Sequence, residues 1–169
     1  MSDISIYSFG DPEPVNVSRM LDYLGVFPDT GGDYYLPPVQ LAGLGQLRCA
    51  CVQHGSCLVF RRNMAARAYR DGALSRSDLR KSLMDFLTFG NAYFEIRRNG
   101  FGAVTGLDYV PSINMRVLTG NRGFRQLLKG GDHRDFSHDE MLQLQEHDTN
   151  QQIYGLPDWL AGMQPVLLN

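Results

Sequence analysis

The feature that most constrains the fold is a change of period at Phe89-Gly90-Asn91-Ala92. Before it, Leu79, Leu83, Phe86 and Leu87 recur at helical spacing, behind a Ser75-Arg76-Ser77-Asp78 sequence that has the form of a capping box with Asp in place of Glu. After it, Ala92, Phe94 and Ile96 alternate with Tyr93, Glu95 and Arg97, the period of a half-buried strand. Gly90 stands where a helix ends in the left-handed conformation. The pattern predicts a helix over 76–89 that passes directly into a strand. Asn99-Gly100 then predicts a tight turn with positive φ, and the chain returns through Val104, Leu107 and Tyr109 until Pro111 breaks the ladder. Helix and hairpin together read as α+β, an antiparallel sheet with helices packed on it.

The rest of the chain extends this scheme. Met115–Leu118, a turn at 119–123 and Phe124–Leu128 read as a second antiparallel pair, and Gly130–Asp135 as a loop. Met141–Leu144 reads as the last strand of the sheet, so that the middle of the chain is an antiparallel meander. Upstream, Leu41, Leu44, Leu47 and Cys51 predict a helix over 39–53, stopped by His54-Gly55. Leu58-Val59-Phe60-Arg61-Arg62 fits a short strand or an irregular continuation equally well. Residues 28–38, rich in Pro and Gly, predict a surface loop ending in Tyr34-Tyr35 rather than a strand. The first 17 residues read as an extended arm, because Gly10-Asp11-Pro12-Glu13-Pro14 cannot continue a helix, and a short helix is expected after Ser18. Pro157 opens a final amphipathic helix through Trp159, Leu160, Met163 and Leu167, unless Pro165 ends it near Met163. That helix reaches the last residue, which gives the expectation of a piece of a longer protein. The domain organisation expected is an arm and loop over 1–38, an α+β body over 39–156 and the start of a helix over 157–169.

Composition bounds the function. The chain has 169 residues, 43% apolar and 20% charged, the profile of one folded domain. Its net charge of -2 lacks the basic excess that usually holds nucleic acid by its phosphates. No run approaches the length of a membrane span, and the first 30 residues lack the features of a signal peptide. Three local cysteines do not suit a disulfide framework and read as reduced thiols.

Chemistry-bearing residues give no organised motif. Cys49, Cys51, His54 and Cys57 supply enough donors for tetrahedral zinc, but on a helix Cys49 and Cys51 point to different sides. Asp132, His133, Asp135, His138, Asp139, Glu140, Glu146, His147 and Asp148 are rich in acids and histidines without a metal-binding frame, and read as a solvated loop flanking a strand. Arg61, Arg62, Arg67, Arg70, Arg76, Arg80 and Lys81, with Phe60 and Tyr69 between them, form the one basic concentration. It suits a solvated helix face, a subunit boundary, a nucleic-acid strip or an acidic partner. No nucleophile motif is present around Ser56 or Cys57, so the reading assigns no catalytic residue and no cofactor.

Three short segments carry a resemblance. Phe9-Gly10-Asp11-Pro12-Glu13-Pro14, Asp85-Phe86-Leu87-Thr88-Phe89-Gly90-Asn91-Ala92-Tyr93 and Ile153-Tyr154-Gly155-Leu156-Pro157 occur in an order that resembles portal proteins of tailed bacteriophages, in the PBSX-type subgroup. The resemblance implies a non-enzymatic structural protein of the virion, the N-terminal outer wing of a ring, typically dodecameric, at the capsid vertex through which DNA is packaged and ejected. It implies other portal subunits and the major capsid protein as partners, with terminase and the tail-side adaptor meeting regions beyond residue 169. It also implies assembly in the host cytoplasm. Tyr34, Tyr35, Arg61, Arg62, Arg67 and Arg70 are the expected contact residues, chosen for exposure and stickiness. The alternatives are a portal-derived interference factor, a degenerate prophage remnant, or a small metal- or thiol-dependent enzyme using Cys49, Cys51, His54 and Cys57 or the Asp132 to His147 cluster.

Overall fold

The structure, a computed structural model, describes residues 26–50, 52–70 and 72–162. The expected N-terminal arm, the short helix after Ser18 and the end of the last helix, including Met163, Pro165 and Leu167, lie outside the described residues. In chain order the elements are β1 (Tyr34–Tyr35), α1 (Leu41–Ala50), α2 (Val52–Ala68), α3 (Arg76–Phe89), β2 (Asn91–Arg98), β3 (Val104–Val110), β4 (Met115–Leu118), β5 (Phe124–Leu127), β6 (His133–Phe136) and β7 (Met141–Gln145). The fold is α+β with antiparallel sheets, as expected.

α3 begins and ends as its sequence predicts. Ser75 is extended at φ -67°, ψ 151°, and its Oγ accepts the Asp78 N–H at 3.1 Å while donating to the Asp78 carboxylate at 2.8 Å. Gly90 takes φ 73°, and its N–H donates to the Phe86 carbonyl at 2.8 Å. β2 follows at once and lies in the centre of a three-stranded sheet of order β3-β2-β7. A second sheet has the order β1-β4-β5-β6. The single meander is therefore two sheets, and β7 closes back onto β2 in the register Phe94 to Leu142.

β2 is buried on both faces over its first half, where the sequence predicts one. Ala92 and Phe94 meet Leu74, Tyr69, Leu79 and Phe86 on the helix side, whereas Tyr93 points to Val110, Met115, Phe124, Phe136 and Met141 on the other. The body thus has three layers: helices, the β3-β2-β7 sheet, and the second sheet. Met115 is completely enclosed between the sheets, a burial that contributes about 2 kcal/mol.

Five local expectations are corrected. α2 runs through His54-Gly55 and includes Leu58–Arg62; a Cβ on Gly55 would lie 2.7 Å from the Arg48 carbonyl oxygen, so this glycine serves the close approach of α1 and α2 and does not stop a helix. The β2–β3 turn spans 99–103, with Asn99 Oδ1 accepting the Phe101 and Ala103 N–H groups at 3.0 and 2.9 Å, and the positive φ falls on Gly102 instead of Asn99-Gly100. Part of the 130–135 loop is β6, a mostly exposed edge strand whose polar His133-Arg134-Asp135 shows no apolar alternation. Tyr34 and Tyr35 form a strand, paired with Leu118 and Val117, and are half-buried rather than on a free loop. After Pro157 the chain makes a 3₁₀ turn over Asp158–Gly162.

Candidate interaction surfaces

The basic residues gather because α2 and α3 lie side by side. Arg62 donates to the Asn63 side-chain oxygen through Nε at 3.2 Å and Nη2 at 2.9 Å, and Arg80 from α3 donates to the same oxygen at 3.2 Å. Two guanidinium groups from different helices thus converge on one neutral acceptor. Along α3, with Arg62 of α2 on one side and Tyr109 of β3 on another, lies a groove of about 700 Å³ that Arg76, Arg80, Lys81, Met84 and the Asp85 carboxyl also line. A smaller hollow of about 280 Å³ beside it includes Arg67.

The floor and lip of the groove are fixed by hydrogen bonds. Lys81 donates to Asp78 at 2.8 Å, and this contact with the Ser75 hydroxyl holds the Asp78 carboxyl below the usual range. The Lys81 ammonium also lies 5.7 Å from the centre of the Tyr109 ring. Tyr109 O–H and Ser112 N–H both donate to Asp85 Oδ2 at 2.8 Å. Burial pushes the Asp85 carboxyl up, against the opposing pull of these donors, and burial together with the Asp85 charge pushes Tyr109 up.

Other residues singled out in the sequence fall elsewhere. Arg61 pairs bidentately with Asp158 at 3.1 and 2.9 Å and holds that carboxyl below its ordinary value; both side chains are about half exposed, 48% and 52%, so the pair contributes little to stability. Arg70 is exposed at the end of α2. Tyr35 offers its carbonyl to Tyr154 O–H at 2.7 Å, and the same hydroxyl accepts the Val117 N–H at 2.9 Å; burial pushes Tyr154 up to about 12. Cys49 and Cys57 are exposed, and Cys51 lies outside the described residues. The His54 ring rests on Trp159 at 4.5 Å, and desolvation lowers its pKa. Among the described residues no group of three or more His, Cys, Asp or Glu side chains is placed to hold a metal ion. In the acid-rich region Asp135 is bound by Arg125, His138 meets the Asn121 carbonyl, and Glu140 accepts from Ser137.

Sequence reasoning missed the densest polar centre, at Asn91. Its amide donates to Phe89 and Gly155 carbonyls at 2.9 and 2.8 Å, and its oxygen accepts from Gly155 N–H at 2.8 Å and Gln143 at 3.2 Å. Gly90 and Gly155 touch backbone to backbone, and a Cβ on Gly90 would lie 2.5 Å from the Leu156 carbonyl carbon. Two of the three segments behind the portal resemblance, 85–93 and 153–157, are therefore pressed together. Their residues serve packing, and the Gly90-Asn91 and Tyr154-Gly155 pairs were the available signal.

Over 162 residues the chain is 33% identical to the probable portal protein of Haemophilus phage HP1, a match that covers 92% of this chain and 47% of that protein. The sequence is related to phage portal proteins. It is also 32% identical over 165 residues to the probable portal protein of Escherichia phage P2, covering 96% of this chain and 47% of the relative. The portal-like chain thus spans about half the length of both relatives, and neither name speaks to the PBSX-type subgroup. No family model matches it. Among solved structures, the virion of the native gene transfer agent particle gives a TM-score of 0.61 at 18% identity, covering 89% of this chain and 46% of that one. A chain from the neck of the native particle, computed with C12 symmetry, gives 0.60 at 18% identity, covering 73% of this chain and 41% of that one. At that identity the likeness is one of fold.

Proposed function

We propose that the chain acts as the outer, wing-like part of a portal protein, a structural and non-catalytic component of the ring at one capsid vertex through which DNA enters and leaves. The observation that carries this reading is the 33% identity to a phage portal protein over 162 residues, covering 92% of the chain. The role is geometric. Identical rigid bodies that meet head to tail close into a ring when the rotation between them divides the circle, and the C12 neck of a fold neighbour supports a dodecamer. In this reading residues 39–156 form the wing body, 1–38 an arm, and 157–169 lead toward the stem. Tyr34, Tyr35, Arg61, Arg62, Arg67 and Arg70 are proposed as contacts to neighbouring subunits and capsid protein, while terminase and the tail-side adaptor meet other parts of the longer protein. Of the described helices none is long and apolar enough to cross a membrane, in keeping with a virion component assembled in the host cytoplasm.

Complementation tests the proposal. A P2 phage lacking a functional portal gene is supplied with the P2 portal protein in which the matched segment is replaced by this chain. Plaques are expected, at reduced number. A chimera that is soluble and folded yet yields no plaques, beside a P2 control that does, overturns it.

A further inference from the structure

We infer that the groove along α3 is a docking site for an acidic peptide segment of another protein chain. The inference stands on the groove itself and does not rest on the portal reading. Arg62 and Arg80 come from different helices and are held against each other by the neutral Asn63 oxygen, and among the described residues neither donates to a carboxylate. Like charges brought together over a neutral acceptor create a local positive potential that an incoming carboxylate relieves, and arginine receives a carboxylate through two parallel hydrogen bonds. Arg76, Arg80 and Lys81 of α3 line the same groove as Arg62 of α2, so cationic side chains of two helices face one space. Of the described acids at the groove, Asp78 is bound to Lys81 and Ser75, and Asp85 to Tyr109 and Ser112.

A peptide fits this groove better than nucleic acid does. A net charge of -2 lacks the broad basic excess that holds a duplex by many phosphates, whereas a short acidic peptide needs only the local cluster of arginines. The one aromatic ring in the groove, Tyr109, has Lys81 over it and its hydroxyl bound to Asp85, so it offers no free platform for a base. Met84 on the wall supplies an apolar contact for a side chain between acidic residues, which a phosphate backbone would leave unused. A space of about 700 Å³ takes a few residues of extended peptide or one helical turn.

The test is fluorescence anisotropy with the full 169-residue chain and a fluorescein-labelled peptide of Asp and Glu around a central Leu. The competitors are a short DNA duplex and inorganic phosphate. The expected result is saturable binding that weakens with salt, is displaced poorly by duplex or phosphate, and drops at least about tenfold in the Arg62→Glu, Arg80→Glu double variant. Amide shifts mapped on the unaltered chain keep the test decisive if that variant does not fold: they must centre on α2, α3 and Tyr109. No binding, shifts elsewhere, equal binding by the folded double variant, or a duplex that outcompetes the peptide at equal charge each overturns the inference, the last in favour of nucleic acid.

Discussion

Asn91→Ala should be among the most damaging single substitutions on the sheet that does not create a large cavity. Asn91 is 3% exposed, and its amide alone satisfies both the N–H and the C=O of the buried Gly155. Truncation orphans both groups where water has little access. Each orphaned buried group costs about 1–3 kcal/mol, so the two together cost about 2–6 kcal/mol. For a domain of this length that is a fall in Tm of roughly 4–24 °C, at about 2–4 °C per kcal/mol. Equilibrium urea unfolding followed by circular dichroism measures it directly, with an unchanged m-value as the check that only stability moved. Asn91→Asp sharpens the argument. The carboxylate still accepts from Gly155 N–H but faces the Gly155 and Phe89 carbonyls, so the folded state raises its pKa. Stability is then retained where the carboxyl is protonated and lost as pH rises through the folded-state value, so Asn91→Asp should recover toward low pH relative to Asn91→Ala. A loss below about 1 kcal/mol in Asn91→Ala, or no pH-dependent gap between the two variants, refutes the reasoning.

Three further outcomes are expected. Tyr154→Phe removes the hydroxyl that joins the Tyr35 carbonyl to the Val117 N–H and should cost about 1–3 kcal/mol in urea unfolding, with hydrogen exchange accelerating at Val117 first. Asp85→Asn keeps an oxygen for Tyr109 and Ser112 while removing a carboxylate whose pKa burial has raised; wild-type stability from this group is greatest at low pH and falls as pH rises through the raised value, so the variant should match or exceed wild type at neutral pH and lose that advantage in acid. Asp135→Asn breaks the 2.6 and 2.8 Å contacts with Arg125, a side chain only 12% exposed, and should cost about 1 kcal/mol at neutral pH. Because Arg125 holds the Asp135 carboxyl low, that difference is present above the ordinary carboxyl range and should vanish as pH falls below it in thermal melts.

What the sequence made legible is what local physics decides. The helix over 76–89, its Ser75 cap, the Gly90 end and the strand after it are set by period and by neighbouring residues, and all appear as expected. What depends on distant partners was not legible. Gly55 looks like a stop signal but permits two helices to approach, and β6 has no apolar period because Phe136 is its one buried residue. Tyr34 and Tyr35 resemble a loop until β4 is there to pair with them. The division into two sheets follows from Tyr93 facing one core and its neighbours Ala92 and Phe94 facing another, which alternation alone does not reveal. For the candidate surfaces, the sequence marked the arginines as a group, but the helix packing separates Arg61, bound to Asp158, from Arg62 and Arg80 in the groove. The cysteine and acid clusters stood out by density alone: Cys49 and Cys57 are exposed, and in the acid-rich region Glu140 accepts from Ser137 while Asp135 pairs with Arg125.

The portal reading is tested most directly by the solution mass of the P2 portal protein carrying this chain in place of its matched segment, measured by mass photometry beside the parent protein. The account predicts closed rings of the parent's mass class, since the wing body supplies the same packed shape to the same contacts. Single chains or open, size-scattered aggregates from a chimera that is folded, under conditions where the parent forms rings, would contradict it.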